Sequence, residues 1–135
     1  MNRTSTRGLV LGLFVAIASV GVALATPGSG VSPTTLGRGT LEAGDKLSTD
    51  DLKLKIKRDI DVVTQTITIT PGGHTGWHSH PGPVFVTITA GTMTFYDGDD
   101  PSCTPIVYPT GSTFIDEGGG HVHIARNLGS VDMVL

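Results

Sequence analysis

Residues 72–91 read GGHTGWHSHPGPVFVTITAG, and the fold is decided here. The second half, Val84–Ala90, is a run of β-branched and aromatic residues. Thr92–Tyr96 is another. They flank Gly91, which reads as a turn or bulge between paired strands. The first half carries His74, His78 and His80. On a strand, His78 and His80 share a face with their Cβ atoms about 7 Å apart. That His-x-His spacing lets two imidazoles converge on one metal at about 2.0–2.1 Å. Imidazole suits zinc, copper, nickel and iron, whereas magnesium and calcium prefer oxygen. A third ligand must come from another strand. His121 and His123 are the only other histidines in the chain.

Outward from this stretch, short strands continue. Val63, Ile67 and Ile69 alternate with threonines through Val62–Thr70, until Pro71-Gly72-Gly73 ends the run. Leu52, Leu54 and Ile56 alternate with Lys53, Lys55 and Lys57, which predicts an apolar face backed by a wet lysine stripe. An anion-binding face is the other reading of that stripe. Pro105–Pro109, Ser112–Asp116, His121–Arg126 and Val131–Leu135 read as four more strands. Asp97–Pro101 is a turn cluster, either solvated or calcium-binding. No apolar stripe of helical period occurs past the N-terminal segment. With 19 glycines and 8 prolines among 135 residues, the pattern predicts one all-β barrel or sandwich of eight or more short strands. The net charge of −3, with no basic block beyond Lys53, Lys55, Lys57 and Arg58, argues against nucleic acid as a partner.

The N-terminus has its own grammar. Arg3 and Arg7 precede an apolar run to Ala25, which ends Ala23-Leu24-Ala25. This predicts a secretory signal peptide over 1–25 and a secreted or extracytoplasmic protein with no membrane partner after cleavage. An uncleaved anchor is the alternative, since the run just reaches spanning length. Removing Arg3 and Arg7 takes the net charge from −3 to −5. Residues 26–40, rich in Thr, Pro, Gly and Ser, read as a flexible linker, and 41–135 as the folded domain. The single cysteine, Cys103, rules out an internal disulfide and reads as a buried thiol or a reactive one.

Residues 72–127 resemble the cupin superfamily. Gly72, His78, His80 and Gly91 match its first motif, G-x5-H-x-H-x3/4-E-x6-G. Gly120, His123 and Asn127 match the second half of its second motif, G-x5-P-x-G-x2-H-x3-N. Gly118 stands at the proline position, and Gly111 is one residue early for the first glycine. The resemblance implies a double-stranded β-helix, or jelly-roll barrel. His78, His80 and His123 would point inward to hold one divalent transition metal: Mn, Fe, Zn, Cu or Ni. The motif's glutamate is replaced by Val84. Three neutral imidazoles would then leave the ion its full charge and an open position. His74 and His121 share strand parity with the ligands, so each reads as a fourth ligand, a proton carrier or a rim residue. Asp116 and Glu117, the nearest acids to the second motif, read as part of the turn before it.

Three functions follow. The first is oxidation of a small chelating or anionic molecule at the three-His metal. The second is a non-enzymatic module for a small-molecule ligand or metal, favoured by the want of a strand-borne acid beside the histidines. The third is hydrolysis or isomerisation by zinc-bound hydroxide. No catalytic residue is named. Only eight residues follow Asn127, so Val131–Leu135 either closes the barrel or leaves an edge for a second copy, and a homodimer is expected from the family.

Overall fold

The computed structural model describes residues 25–135, so the signal-peptide segment, but for Ala25, lies outside them. Among the described residues there are ten strands and no helix: β1 (Ser29–Leu41), β2 (Lys46–Ser48), β3 (Lys53–Lys55), β4 (Ile60–His74), β5 (Val84–Thr87), β6 (Thr92–Asp97), β7 (Ile106–Pro109), β8 (Thr113–Asp116), β9 (His123–Arg126) and β10 (Met133–Val134). One sheet runs β1-β4-β9-β6-β7, with β10 also on β4. β5 pairs with β8 and β2 with β3 as separate two-stranded sheets. Every pairing is antiparallel. The large sheet and β5–β8 wall one interior, which makes the all-β, double-stranded β-helix barrel that the resemblance implies.

Four expectations need correction. Residues 26–40 are not a linker throughout: from Ser29 they belong to the long strand β1, laid against β4. Its side chains are almost all exposed, so backbone hydrogen bonds, not an apolar pattern, make the strand. Pro33 is tolerated because β1 is an edge. Leu52 and Leu54 do not form a buried face: they are exposed on or beside the β2–β3 hairpin, and only Ile56 is buried. The runs on either side of Gly91 do not pair with each other: β5 joins β8, and β6 joins β7 and β9. Cys103 is exposed.

The fourth expectation, that Pro71-Gly72-Gly73 ends a strand, gives way to a bulge. Ser29 faces His74 and Val31 faces Ile69, so residues 70–73 loop out opposite Gly30. Gly72 supplies the positive φ (+77°) this requires. Past the bulge, β4 turns onto β9. The Gly72 amide donates to the Asn127 carbonyl, the Asn127 amide to Gly73, and the Thr75 amide to Ala125. β10 closes the other side. Met133 faces Ile69, and Ile67 and Leu135 exchange backbone hydrogen bonds at 2.8 and 3.0 Å.

The core is Ile69, Ile88, Met93, Phe95, Ala125 and Met133. Each fully buried aliphatic side chain contributes on the order of 1.5–3 kcal/mol. In the same interior lies Asn127, at 0% exposure. Its Nδ2 donates to the carbonyls of Ile69 and Val131, both at 2.8 Å, and its Oδ1 accepts the Gly129 amide at 3.0 Å. It ties β4 to the turn between β9 and β10 and satisfies every group it buries. Asn127→Ala is expected to cost about 3 kcal/mol, near 1 per lost bond. Urea denaturation checks this as a lowered midpoint.

Candidate metal centre

The crossing of β4 onto β9 places the first two histidines. Trp77 and His78 lie just beyond β4, and His78 forms a bridge with His123 on β9. The His78 amide donates to the His123 carbonyl at 3.0 Å, and the reverse bond is 2.9 Å. His80 follows in the loop to β5. So His78 and His80 are not on a regular strand, yet both rings reach the same point. Ring centroids are 4.8 Å apart for His78–His80, 4.5 Å for His78–His123 and 5.3 Å for His80–His123.

One donor nitrogen from each of the three lies within 4.8 Å of the other two. Donors of a tetrahedral set sharing one ion at about 2.1 Å sit about 3.4 Å apart, so the three must draw closer to hold one. The His78 Nδ1 lies 3.0 Å from the Gly76 carbonyl. A carbonyl only accepts, so Nδ1 carries the proton and Nε2 keeps its lone pair for a metal. The Phe95 ring stacks on His123, centroids 5.0 Å apart, and fixes that ring from the core side.

An acid is present that the sequence reading set aside. Asp116 is not in a turn. It ends β8, is 5% exposed, and faces Val84 directly across the β5–β8 ladder. Its Oδ1 accepts the Gly118 amide at 3.2 Å. Its Oδ2 lies 3.6 Å from His80 Nε2 and 3.8 Å from His123 Nε2. Glu117, by contrast, is exposed. The signal available in sequence was parity: within Ser112–Asp116, Asp116 shares the face of Phe114. What no spacing rule shows is that β8 is the partner of β5.

Among the described residues, two buried polar atoms lack a hydrogen-bond partner, Asp116 Oδ2 and His123 Nδ1. Buried polar groups are ordinarily satisfied, so the Asp116 Oδ2 that faces His80 Nε2 and His123 Nε2 fits a site for a cation between them. The nitrogen-rich set with one carboxylate fits zinc, copper, iron, nickel or manganese. Burial, then repulsion from His78, holds His80 and His123 below the ordinary imidazole value, against the pull of Asp116. That lowering favours the neutral imidazole, the form that ligates.

The flanking histidines differ. His74 accepts the Gly76 amide through Nδ1 at 3.1 Å, so that nitrogen is taken. His121 lies behind Asp116: its Nδ1 is 3.6 Å from Asp116 Oδ1 and its Nε2 is 3.0 Å from Asp97 Oδ1. Burial works to lower its pKa, but Asp97 and then Asp116 prevail and raise it. In the Asp97–Pro101 loop, amides of Asp99, Ser102 and Thr104 occupy the carboxylates of Asp97 and Asp100.

The site opens into a cavity of about 70 Å³, walled by Ile67, Val86, Met93, Phe95, Phe114, Ala125 and Leu135. Of the aromatics, Phe95 is buried and Phe114 half-buried here, while Phe85 points out at 68% exposure.

Comparison with known proteins agrees with this architecture. The family described as Cupin domain matches residues 65–135. The chain belongs to this family. No curated protein matches the sequence. Among solved structures, a conserved protein with a double-stranded β-helix domain from Klebsiella pneumoniae is 20% identical. It aligns over 82% of this chain and 76% of its own, with a TM-score of 0.50. A cupin domain from Bordetella pertussis is 18% identical over 82% of this chain and 91% of its own, also with a TM-score of 0.50. A predicted oxalate decarboxylase from Thermotoga maritima is 22% identical, with a TM-score of 0.43. The match covers 52% of this chain and 57% of that one.

The titrating groups set a pH response. His80 and His123 are lowered in the fold, so the unfolded chain binds protons first. Their contribution is full above about pH 6.5 and is lost as pH falls through their folded values. His121 is raised and acts oppositely: its contribution is present below about pH 6.5 and is lost as pH rises. Two groups oppose one. The urea midpoint of chelator-treated protein is expected to fall between about pH 7.5 and about pH 5, and more steeply in His121→Ala.

Proposed function

We propose that the protein is an exported, single-metal cupin that takes a small chelating or anionic molecule at its metal and oxidises it with dioxygen. The observation that carries this reading is the convergence of His78, His80 and His123 at the floor of a small apolar cavity. When bound, an ion there supplies Lewis acidity and, if it is iron, manganese or copper, electron transfer.

The chain's own groups define the rest. A cavity of about 70 Å³ admits a molecule of only a few heavy atoms, since one water already takes about 10–15 Å³ on this measure. Met93, Phe95 and Phe114 make the cavity walls apolar, while His80 reaches solvent at 33% side-chain exposure. A negative ligand is favoured because a dication outweighs one carboxylate. Asp116 also removes the main argument for a non-enzymatic module, the want of an acid on a strand beside the histidines.

The test is metal content of the purified protein beside His78→Ala and His123→Ala. Near-stoichiometric metal is expected, and both substitutions are expected to abolish it. Iron, manganese or copper, with oxygen uptake on adding a two- or three-carbon dicarboxylate, supports the oxidative reading. Zinc without oxygen uptake replaces it with hydrolysis. No metal after reconstitution overturns both.

A further inference from the structure

We propose that Asp116 supplies, from β8, the metal-binding carboxylate that the family pattern places on β5, where this chain has Val84. The proposal rests on the metal-site reading above and adds a fourth protein ligand to it.

The ladder register carries the argument. Val84 and Asp116 are directly opposed on β5 and β8. Residues opposed in an antiparallel pair project to the same face, with Cβ atoms about 4.5–5.5 Å apart. A carboxylate lost from one position can therefore be replaced from its partner without moving the metal. Val84 is half-buried and offers no donor atom.

The state of the Asp116 carboxylate points the same way. The side chain is 3% exposed. Its two oxygens have different surroundings. Oδ1 is engaged by the Gly118 amide, with His121 behind it. Oδ2 is turned inward, has no hydrogen-bond partner, and faces His80 and His123. A buried carboxylate oxygen with no hydrogen-bond partner is costly unless a ligand meets it. A divalent ion held among the imidazoles would do so. His121, itself 3.0 Å from Asp97, holds the carboxylate from the rear, as outer groups orient metal ligands.

The test compares the full chain with Asp116→Asn, Val84→Glu and the double variant Val84→Glu/Asp116→Asn. Each is freed of metal and titrated with Co²⁺, with affinity and visible absorption both recorded. Asp116→Asn is expected to weaken Co²⁺ binding by at least about a hundredfold and to shift the absorption bands, because an oxygen ligand is lost. The double variant, with its carboxylate back on β5, is expected to recover the affinity to within about tenfold and the bands to near the original. Val84→Glu alone is expected to bind at least as tightly as the parent. Metal-free Asp116→Asn is expected to stay folded, since the amide oxygen can still accept the Gly118 amide. Unchanged affinity and bands in Asp116→Asn overturn the proposal. So do weakened affinity with unchanged bands and no recovery in the double variant, which would make Asp116 a positioning group only. Failure of Asp116→Asn to fold without metal also overturns it, because the carboxylate would then serve the fold itself. If the parent chain takes up no Co²⁺, the metal-site reading falls, and that result is separate from every other.

Discussion

The reciprocal backbone hydrogen bonds between His78 and His123 are the constraint on which the site depends. They join residues 45 positions apart and set two imidazoles side by side before any side-chain interaction acts. The bridge forms because β4, past the Thr70–Gly73 bulge, runs onto β9 while still paired to β1 at Ser29. The bulge in turn needs Gly72 in a left-handed conformation. Three levels are linked: a glycine permits a bulge, the bulge redirects a strand, and the strand delivers a histidine. His80 is then two residues along the same segment and His123 is already on β9.

The same crossing joins the site to the core. Asn127, on the far side of β9 from the bridge, fastens the bulge end of β4 to the β9–β10 turn. Phe95 is both a core residue and the plate against which His123 stacks. Rigidity at the metal centre therefore comes from the packed interior, not from the loop that carries His78 and His80. That suits a site that must keep three imidazoles crowded together, an arrangement costly to hold on a mobile segment.

Much of this was legible from residue order. Period-two runs located β4, β6, β7, β8, β9 and β10 to within a few residues. The spacing of His78, His80 and His123 named three side chains that the fold brings together. What was hidden was non-local. Which strand pairs with which is not written in either strand's pattern, so β5 was matched to its sequence neighbour β6 instead of to β8. From that error followed the missed Asp116, whose importance exists only opposite Val84. β1 was hidden for another reason: Thr, Gly, Ser and Pro leave no apolar alternation, yet its backbone still completes a ladder with β4. Leu52 and Leu54 misled in the opposite sense, since alternation without a surface to cover buries nothing.

The ribbon made by the outer parts of β1 and β4 has a consequence for motion. From Thr35–Gln65 to Leu41–Ile60, the ladder carries scarcely a buried side chain, and Val62 and Val63 face water at 43% and 47% exposure. Its ion pair, Arg38–Asp61, is solvent-exposed and adds little. Two strands held by backbone bonds alone are marginal in water. This arm and the barrel are thus separate opening units. Amides of Arg38 and Val63 exchange with solvent through local fraying, while those around Ile69, whose side chain is fully buried, exchange only when the whole barrel opens. The molecule has one melting core and one free-fraying arm, and the cluster of His78, His80 and His123 lies wholly within the first.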